Sequence, residues 1–439
     1  MRYKVTLILI AGMLYANNLT FYDIDKLLNS NNPYVKAIEA KFLEYRAKSL
    51  YAKGELDTKL FSHYEYKEYP LSFGKFLQTG VLQGSKNGME FSLSYRKAEG
   101  VQEYNNIKTG KRGEYLAKLK ISLVEFLNGI GKKGYIVEKA HIRQVADTLR
   151  KKMELLELKV KVKKLYFSVL EAKWKVLFYE ELLELTKKNK ELVKKGVKKG
   201  LFPHIDLLEI EAAIEAQKER FYRVKGEFEN KKRALFTYLN IKNYTIKAQI
   251  YSYPRFESYE VTLKMAKSYL PHIKAIREEL RLLDLEKRYL KNRKFPTVEM
   301  SLYKNYDISY QKWGDKIGID VSYPLQNIKY KAKKEEYRAK ELYFGSLLKK
   351  SEMELEGVLK DIEKRAYFLQ KEIEAKRKRV KLYKKLVQAS VKKYKMGLGS
   401  LFLVLKRERE LIENQIGLYS LIFEANRLRV ELDSLSGRI

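Results

Sequence analysis

The chain has 439 residues, no cysteine, and 90 lysines and arginines against 55 aspartates and glutamates, a formal net charge of +35. Without cysteine there are neither disulfides nor a lipid-modified cysteine. The basic excess does not point to nucleic acid: the lysines alternate with glutamates along helical segments, with no arginine-rich block or nucleic-acid motif, so most of the charge reads as solvated helix faces. An anionic partner surface such as lipopolysaccharide stays open.

Arg2 and Lys4 precede an apolar run from Val5 to Leu14, and Ala16 offers a cleavage point. Residues 1–16 therefore read as a secretory signal peptide, because about ten apolar residues are too few to span a bilayer as a helix. No later segment reaches the roughly 18 uninterrupted apolar residues that a transmembrane helix needs.

A helix is expected from about Asp23 to Lys53, with "NNPYVKAIEA" running from Asn31. Next comes a β segment. Within "PLSFGKFLQTGVLQGSKNGMEFSLSYRKAEG" an alternating run, Met89 to Tyr95, suggests an extra hairpin. In "YLAKLKISL", Tyr115, Ala117, Leu119, Ile121 and Leu123 oppose Lys118, Lys120 and Ser122.

A long helix follows, from about Gly134 to Lys195, roughly 60 residues or about 90 Å. Leu149, Met153, Leu156, Val160, Phe167, Leu170, Trp174 and Leu177 mark one heptad seam, broken at Lys163. A second seam, displaced by about 200°, runs through Leu155, Leu158, Val162, Leu165, Val169, Ala172 and Val176. The helix ends at the glycine turn "VKKGLFPHIDLLE". The return path, Asp206 to about Lys291, is interrupted at "NIKNYTIKAQIYSYPRF" and reads as two shorter helices.

The plan then repeats. "YLPHIKAIRE" carries Pro271, 238 residues after Pro33, and again opens a "Px(V/I)KAI" segment. "TVEMSLYKNY" sets Val298, Met300 and Leu302 against Thr297, Glu299 and Ser301. "KIGIDVSYP" sets Ile317, Ile319, Val321 and Tyr323 against Lys316, Gly318, Asp320 and Ser322. Another long helix carries seams at Leu359, Ala366, Ile373, Val380, Val387 and Tyr394, and at Phe368, Ala375, Leu382, Ala389 and Met396. The turn "YKMGLGSLFLVLK" pairs Gly397 with Gly200, and a last helix runs from about Leu401 to Leu435. Two repeats are thus expected, 17–257 and 258–439, each ordered helix, β segment, long helix, glycine turn and returning helix. A period this long is a duplication rather than a solenoid.

Strict period two gives each strand one apolar and one polar face, which suits a soluble sandwich as well as a membrane barrel. Aromatics near the strand ends (Tyr64, Tyr66, Tyr69, Tyr303, Tyr306, Tyr310 and Trp313) favour the barrel, since such rings prefer the membrane interface. A helix with two opposed seams needs a neighbour on each side, and that geometry repeated around a circle closes a tube.

In its doubled "NP…A" opening, its "VSYPLQN" strand exit and its turns "KKGLFPHIDLL" and "YKMGLGSLFLVL", the sequence resembles the TolC-type outer membrane factor family over about Leu19 to Ser436. The resemblance implies an internally duplicated α+β membrane channel. Its homotrimeric outer-membrane β-barrel, normally four strands per protomer and twelve in all, continues into a periplasmic α-helical coiled-coil barrel. The implied role is a passive exit duct for efflux or type I secretion, in the outer membrane with its tunnel in the periplasm. Its implied partners are outer-membrane lipid, a periplasmic adaptor (membrane fusion) protein and an inner-membrane RND, ABC or MFS transporter.

By motif position, the resemblance places Asp206 and Tyr394 among residues that hold the periplasmic constriction closed. The family's arginine partner is replaced by Gly399. Asp206 also reads as an ordinary helix N-terminal carboxylate. Leu403 and Lys406 stand where well-studied members carry an aspartate ring, and a lysine ring would reverse its preference for cations. Asp206 and Glu209 of the first turn are the alternative acidic ring. Gly200, Leu201, Gly397 and Leu398, at exposed turn tips, are the expected adaptor contacts.

"GIGKKG", Gly129 to Gly134, matches a dinucleotide-binding pattern, but the helix after it is far too long for a compact βαβ unit. His63, His141, His204 and His272 lie far apart, and no nucleophile–base set is legible, so neither enzyme activity nor a cofactor or metal is expected. Two other readings stand beside the channel: a soluble exported coiled-coil protein that binds acidic polymers, and a periplasmic adaptor.

Overall fold

The computed structural model describes residues 17–70, 72–100 and 107–439, so the expected signal peptide, 1–16, lies outside the described residues. The short strand β1 (Asn17–Asn18) leads into α1 (Asp23–Leu27) and α2 (Pro33–Lys53). Asn32 caps α2 by accepting from the Tyr34 N–H at 2.9 Å, and Pro33 fills a first-turn position whose missing N–H costs nothing.

Four strands follow: β2 (Lys59–Tyr69), β3 (Ser72–Gly84), β4 (Met89–Gly100) and β5 (Glu114–Ser122). The strand at Met89 forms the extra hairpin that the alternation suggested by pairing antiparallel with β3. Leu123 does not prolong β5, because it opens the short α3 (Leu123–Leu127). Next come α4 (Lys132–Lys198), 67 residues long, and the returning α5 (His204–Leu239). The strand β6 (Tyr244–Thr245) pairs in parallel with β1. The interrupted return path holds three helices rather than two: α5 is followed by α6 (Tyr259–Tyr269) and α7 (Pro271–Leu290), the last opening at Pro271. Leu270, which precedes a proline and is disfavoured in helical backbone, separates α6 from α7. Then come β7 (Thr297–Asp307), β8 (Lys312–Ser322), α8 (Ile328–Lys395) and α9 (Leu401–Ser436). Each boundary of α9 lies 197 residues after the matching boundary of α5.

The chain forms two compact units, and each draws on both halves of the sequence. One comprises Ala40–Lys152 and Pro271–Met353. Its sheet is antiparallel throughout, in the order β2-β3-β4-β5-β7-β8, so strands from the two halves meet at β5 and β7. The first half supplies four strands and the second half two. Of the glycines of "GIGKKG", Gly131 and Gly134 serve close packing here, while Gly129 supplies a positive φ of 71°. The Gly131 N–H donates to the Lys86 carbonyl at 2.8 Å, and a Cβ on Gly134 would fall 2.2 Å from the same oxygen, so the turn between β3 and β4 sits directly on the start of α4.

The other unit comprises the described residues up to Glu39, Met153–Leu270 and Glu354–Ile439. Its main core packs Val162, Tyr166, Phe167, Val169, Leu170 and Val176 of α4 against Phe228, Leu235 and Leu239 of α5 and Phe423 and Val430 of α9. Residues of both expected α4 seams enter this core. Lys163, which breaks the first seam, is buried but paired, its ammonium 2.8 Å from Asp25. On α8 the two seams part company. Leu359, Ala366, Ile373 and Val380 are buried, whereas Phe368, Ala375, Leu382, Ala389 and Met396 are exposed.

Candidate functional site

Two places carry functional geometry, the sheet and the pair of glycine turns. In the sheet the register lines up one face continuously. Leu60, Tyr64 and Tyr66 of β2 share it with Leu77 and Val81 of β3 and Phe91, Leu93 and Tyr95 of β4. Tyr115, Leu119 and Ile121 of β5, Met300, Leu302 and Tyr306 of β7, and Trp313, Ile317, Ile319 and Val321 of β8 continue it. This apolar face is the exposed one: Leu60 is 81 % exposed, Ile317 70 % and Trp313 66 %. The opposite face is largely polar and is buried along the middle strands, with Ser92, Ser94, Glu114 and Ser301 all nearly inaccessible beside Phe76 and Leu116, while Lys312, Lys316 and Asp320 on the edge strand β8 stay exposed. Glu114 is held there by Arg96 and by the Asn305 side-chain amide, 2.5 Å from its carboxylate.

A sandwich in water would bury its apolar face and expose its polar one. The middle strands of this sheet do the reverse, the pattern of a barrel in lipid, whose apolar side faces the acyl chains and whose polar side lines a lumen. The alternation in the sequence separates two faces, and the exposure shows which of them is left uncovered.

Solved structures agree. The chain matches the outer-membrane protein VceC from Vibrio cholerae at 15% identity and a TM-score of 0.68, over 95% of this chain and 96% of that one. It matches CusC, described as forming a transmembrane channel, at 14% identity and a TM-score of 0.66, over 99% and 98%. It matches the open state of the Neisseria gonorrhoeae MtrE outer membrane channel at 16% identity and a TM-score of 0.63, over 97% and 93%. The chain has the fold of the outer-membrane channels. At these identities the likeness concerns fold, which is what the resemblance to the TolC-type family implied. No family model and no curated protein matches the sequence.

Within this channel fold the expected aromatics divide. Tyr64, Tyr66, Tyr306 and Trp313 lie on the apolar face, and Tyr306 and Trp313 pair across the strands with ring centroids 4.9 Å apart. Tyr310 is exposed in the turn between β7 and β8. Tyr303 lies on the polar face, between the ammonium groups of Lys118 and Lys316 at 5.2 and 5.4 Å from its ring. Two aromatics of this row, Tyr95 and Tyr115, are absent from the expected interface set, although the alternation had placed Tyr115 on the apolar side of its strand. Tyr95 pairs with Tyr115, and Tyr115 with Tyr306, so Tyr95, Tyr115, Tyr306 and Trp313 run side by side across four strands. Parity along each strand was the signal that would have found them.

The glycine turns share one backbone geometry. Gly200 and Gly397 have φ of 72° and 74°, and the next residue in each donates to a carbonyl five positions back: Leu201 to Gly196 and Leu398 to Lys393, both at 2.9 Å. This is a Schellman ending, which closes off the last carbonyls of α4 and α8 and favours glycine at the left-handed position. Leu201 and Leu398 are exposed at the tips.

Between the turns, Val193, Ile210, Tyr394, Leu401 and Val404 form a small core. Phe202 stacks on Tyr394 at 4.5 Å and 18°. It also covers Gly196, where a Cβ would lie 2.0 Å from the Phe202 ring. The Tyr394 hydroxyl donates to Asp206 Oδ2 at 2.7 Å. Burial, then the adjacent Asp206 carboxylate, pushes the Tyr394 phenol far above its ordinary value, so it stays a proton donor. Asp206 also sits in the first turn of α5, where a carboxylate suits the positive end of the helix dipole. Glu209 on α5 and Leu403 and Lys406 on α9 are exposed, outside this hydrogen-bonded pair.

Two turns along α9, Glu408 is buried, and its carboxylate oxygens accept from the Asn189 side chain at 2.8 and 3.0 Å. Burial raises its pKa and the Asn189 hydrogen bond offsets this in part. Nothing in the sequence distinguishes Glu408 from the many surface glutamates around it.

Proposed function

We propose that the chain is a passive exit duct of the outer membrane, without enzyme activity, assembled as a homotrimer whose helices form a periplasmic tunnel. The observation that carries this reading is the polarity of the sheet, an exposed apolar face backed along the middle strands by a buried polar one. The exposed heptad seam of α8 supports the trimer, because a row of apolar side chains repeating every seven residues fits the groove of another helix. The two sequence repeats, 17–257 and 258–439, then supply two hairpins per protomer and a pseudo-sixfold tube.

In this reading the turns lie at the periplasmic end. Asp206 and Tyr394 hold neighbouring hairpins in the closed state, with Glu209, Leu403 and Lys406 beside the constriction. Gly200, Leu201, Gly397 and Leu398 are contacts for a periplasmic adaptor that links the duct to an inner-membrane transporter. Tyr64, Tyr66, Tyr306 and Trp313, with Tyr95 and Tyr115, form the aromatic belt at the lipid interface.

The test is electron microscopy of the detergent-extracted full chain. Hollow particles with three-fold symmetry, recovered from the outer-membrane fraction, are the expected result. A monomer that stays soluble without detergent would overturn the proposal.

A further inference from the structure

The sheet has six strands and two open edges, β2 and β8. Among the described residues no strand pairs with the outer side of either. Each edge is 11 residues long, and each exposes large apolar side chains along its length. Uncovered edges of this kind are templates for pairing, and soluble proteins blunt them with bulges, prolines or covering segments. Here β2 and β8 pair residue for residue with their inner neighbours, without a bulge or an internal proline.

Their directions fit one another. In an antiparallel sheet with an even number of strands the two edge strands run in opposite directions, so β8 of a second copy placed beside β2 continues the alternation without a break. Their faces fit as well. Full overlap of the two edges sets Leu60 opposite Val321, Ser62 opposite Ile319 and Tyr64 opposite Ile317, which extends the apolar face from copy to copy. On the polar face the same register sets Glu65 opposite Lys316, an opposite-charge pair. A slip of one residue would turn apolar residues into the polar face, so only even shifts keep both faces intact.

We propose that copies of this chain join edge to edge, β2 of one to β8 of the next, and that three copies of the six-stranded sheet close a barrel of eighteen strands. This rests on the exit-duct reading and changes its dimensions, since the resemblance implies twelve strands. Barrel diameter grows roughly in proportion to strand number, so the mouth is about half again as wide. The two added strands come from the first half of the chain, which carries four strands where the second carries two. The duct's outer opening is thereby suited to bulkier cargo than a twelve-stranded mouth admits.

The chain's lack of cysteine makes the edges directly testable. Full-length chains carry Glu65→Cys together with a second cysteine at Gly314, Lys316 or Gly318, which share its face, or at Ile317, which does not. After mild oxidation in the outer membrane, one of the first three pairs is expected to give linked dimers and trimers on denaturing gels, and the Ile317→Cys chain none. Electron cryomicroscopy of the unsubstituted particle is expected to resolve eighteen strands. Three-fold particles with twelve strands, links in none of the same-face pairs, or links through Glu65→Cys alone would overturn the inference while leaving the duct reading standing. A soluble monomer would overturn both.

Discussion

The Tyr394 hydroxyl donates to the Asp206 carboxylate at 2.7 Å, joining two helical turns whose residues stand 188 positions apart in the chain. Phe202 stacked on the same ring makes the contact one of packing as well as hydrogen bonding.

Tyr394→Phe keeps the stack and removes the donor. A loss of about 1–2 kcal/mol of stability is expected, because the half-buried Asp206 loses a partner. If the turns form the constriction, the variant also shows a higher resting conductance than the parent in planar bilayers. The raised phenol pKa sets the pH window. The stability it confers is present below the unfolded tyrosine value of about 10 and is lost as pH rises beyond it. The difference between parent and variant, measured by denaturant titration, is therefore expected to hold from about pH 5 to 9 and to shrink in stronger alkali.

Glu408→Gln is expected to stabilise the protein at neutral pH. The amide keeps a hydrogen bond to Asn189 and removes a buried charge whose pKa is raised by burial. A carboxyl with a raised pKa contributes most when protonated, below its unfolded value of about 4.5, and loses that contribution as pH rises. Melting curves should show a gain on the order of 1 kcal/mol at pH 7 that vanishes near pH 4.

Glu171 behaves in the opposite sense. Burial pushes its pKa up, but hydrogen bonds from Lys175 and Arg427 prevail and hold it below the ordinary carboxylate range. Its contribution is present above the unfolded value and is lost as pH falls through the lowered folded one. Glu171→Gln should cost about 2–3 kcal/mol at pH 7, since two cations lose their partner, and much less in acid once pH has fallen through the lowered folded value.

The α8 seams separate folding from assembly. Ile373→Ala, on the buried seam, is expected to cost about 2–5 kcal/mol. Leu382→Glu, on the exposed seam, should leave the isolated chain within about 0.5 kcal/mol of the parent. Yet light scattering in detergent should show that this variant no longer forms the trimer. A trimer unaffected by Leu382→Glu would count against this seam as a contact between copies.

The sequence by itself determined whatever depends on near neighbours. Pro33 and Pro271 open helices because proline suits a first turn, Gly200 and Gly397 end them because a left-handed residue does, and alternation marked β5, β7 and β8 and the extra strand at Met89, though not β2 or β3. The tertiary structure alone decided which face of the sheet stays exposed, because period two separates two faces without saying which one its neighbours cover. It decided likewise that the Leu359 seam of α8 is buried and the Phe368 seam is not, since both carry the same heptad signal. The union of β5 with β7, the seating of Lys163 on Asp25 and the burial of Glu408 belong with these. Each joins residues far apart in the chain, and no local pattern encodes a contact whose partner is set by the packing of whole helices and strands.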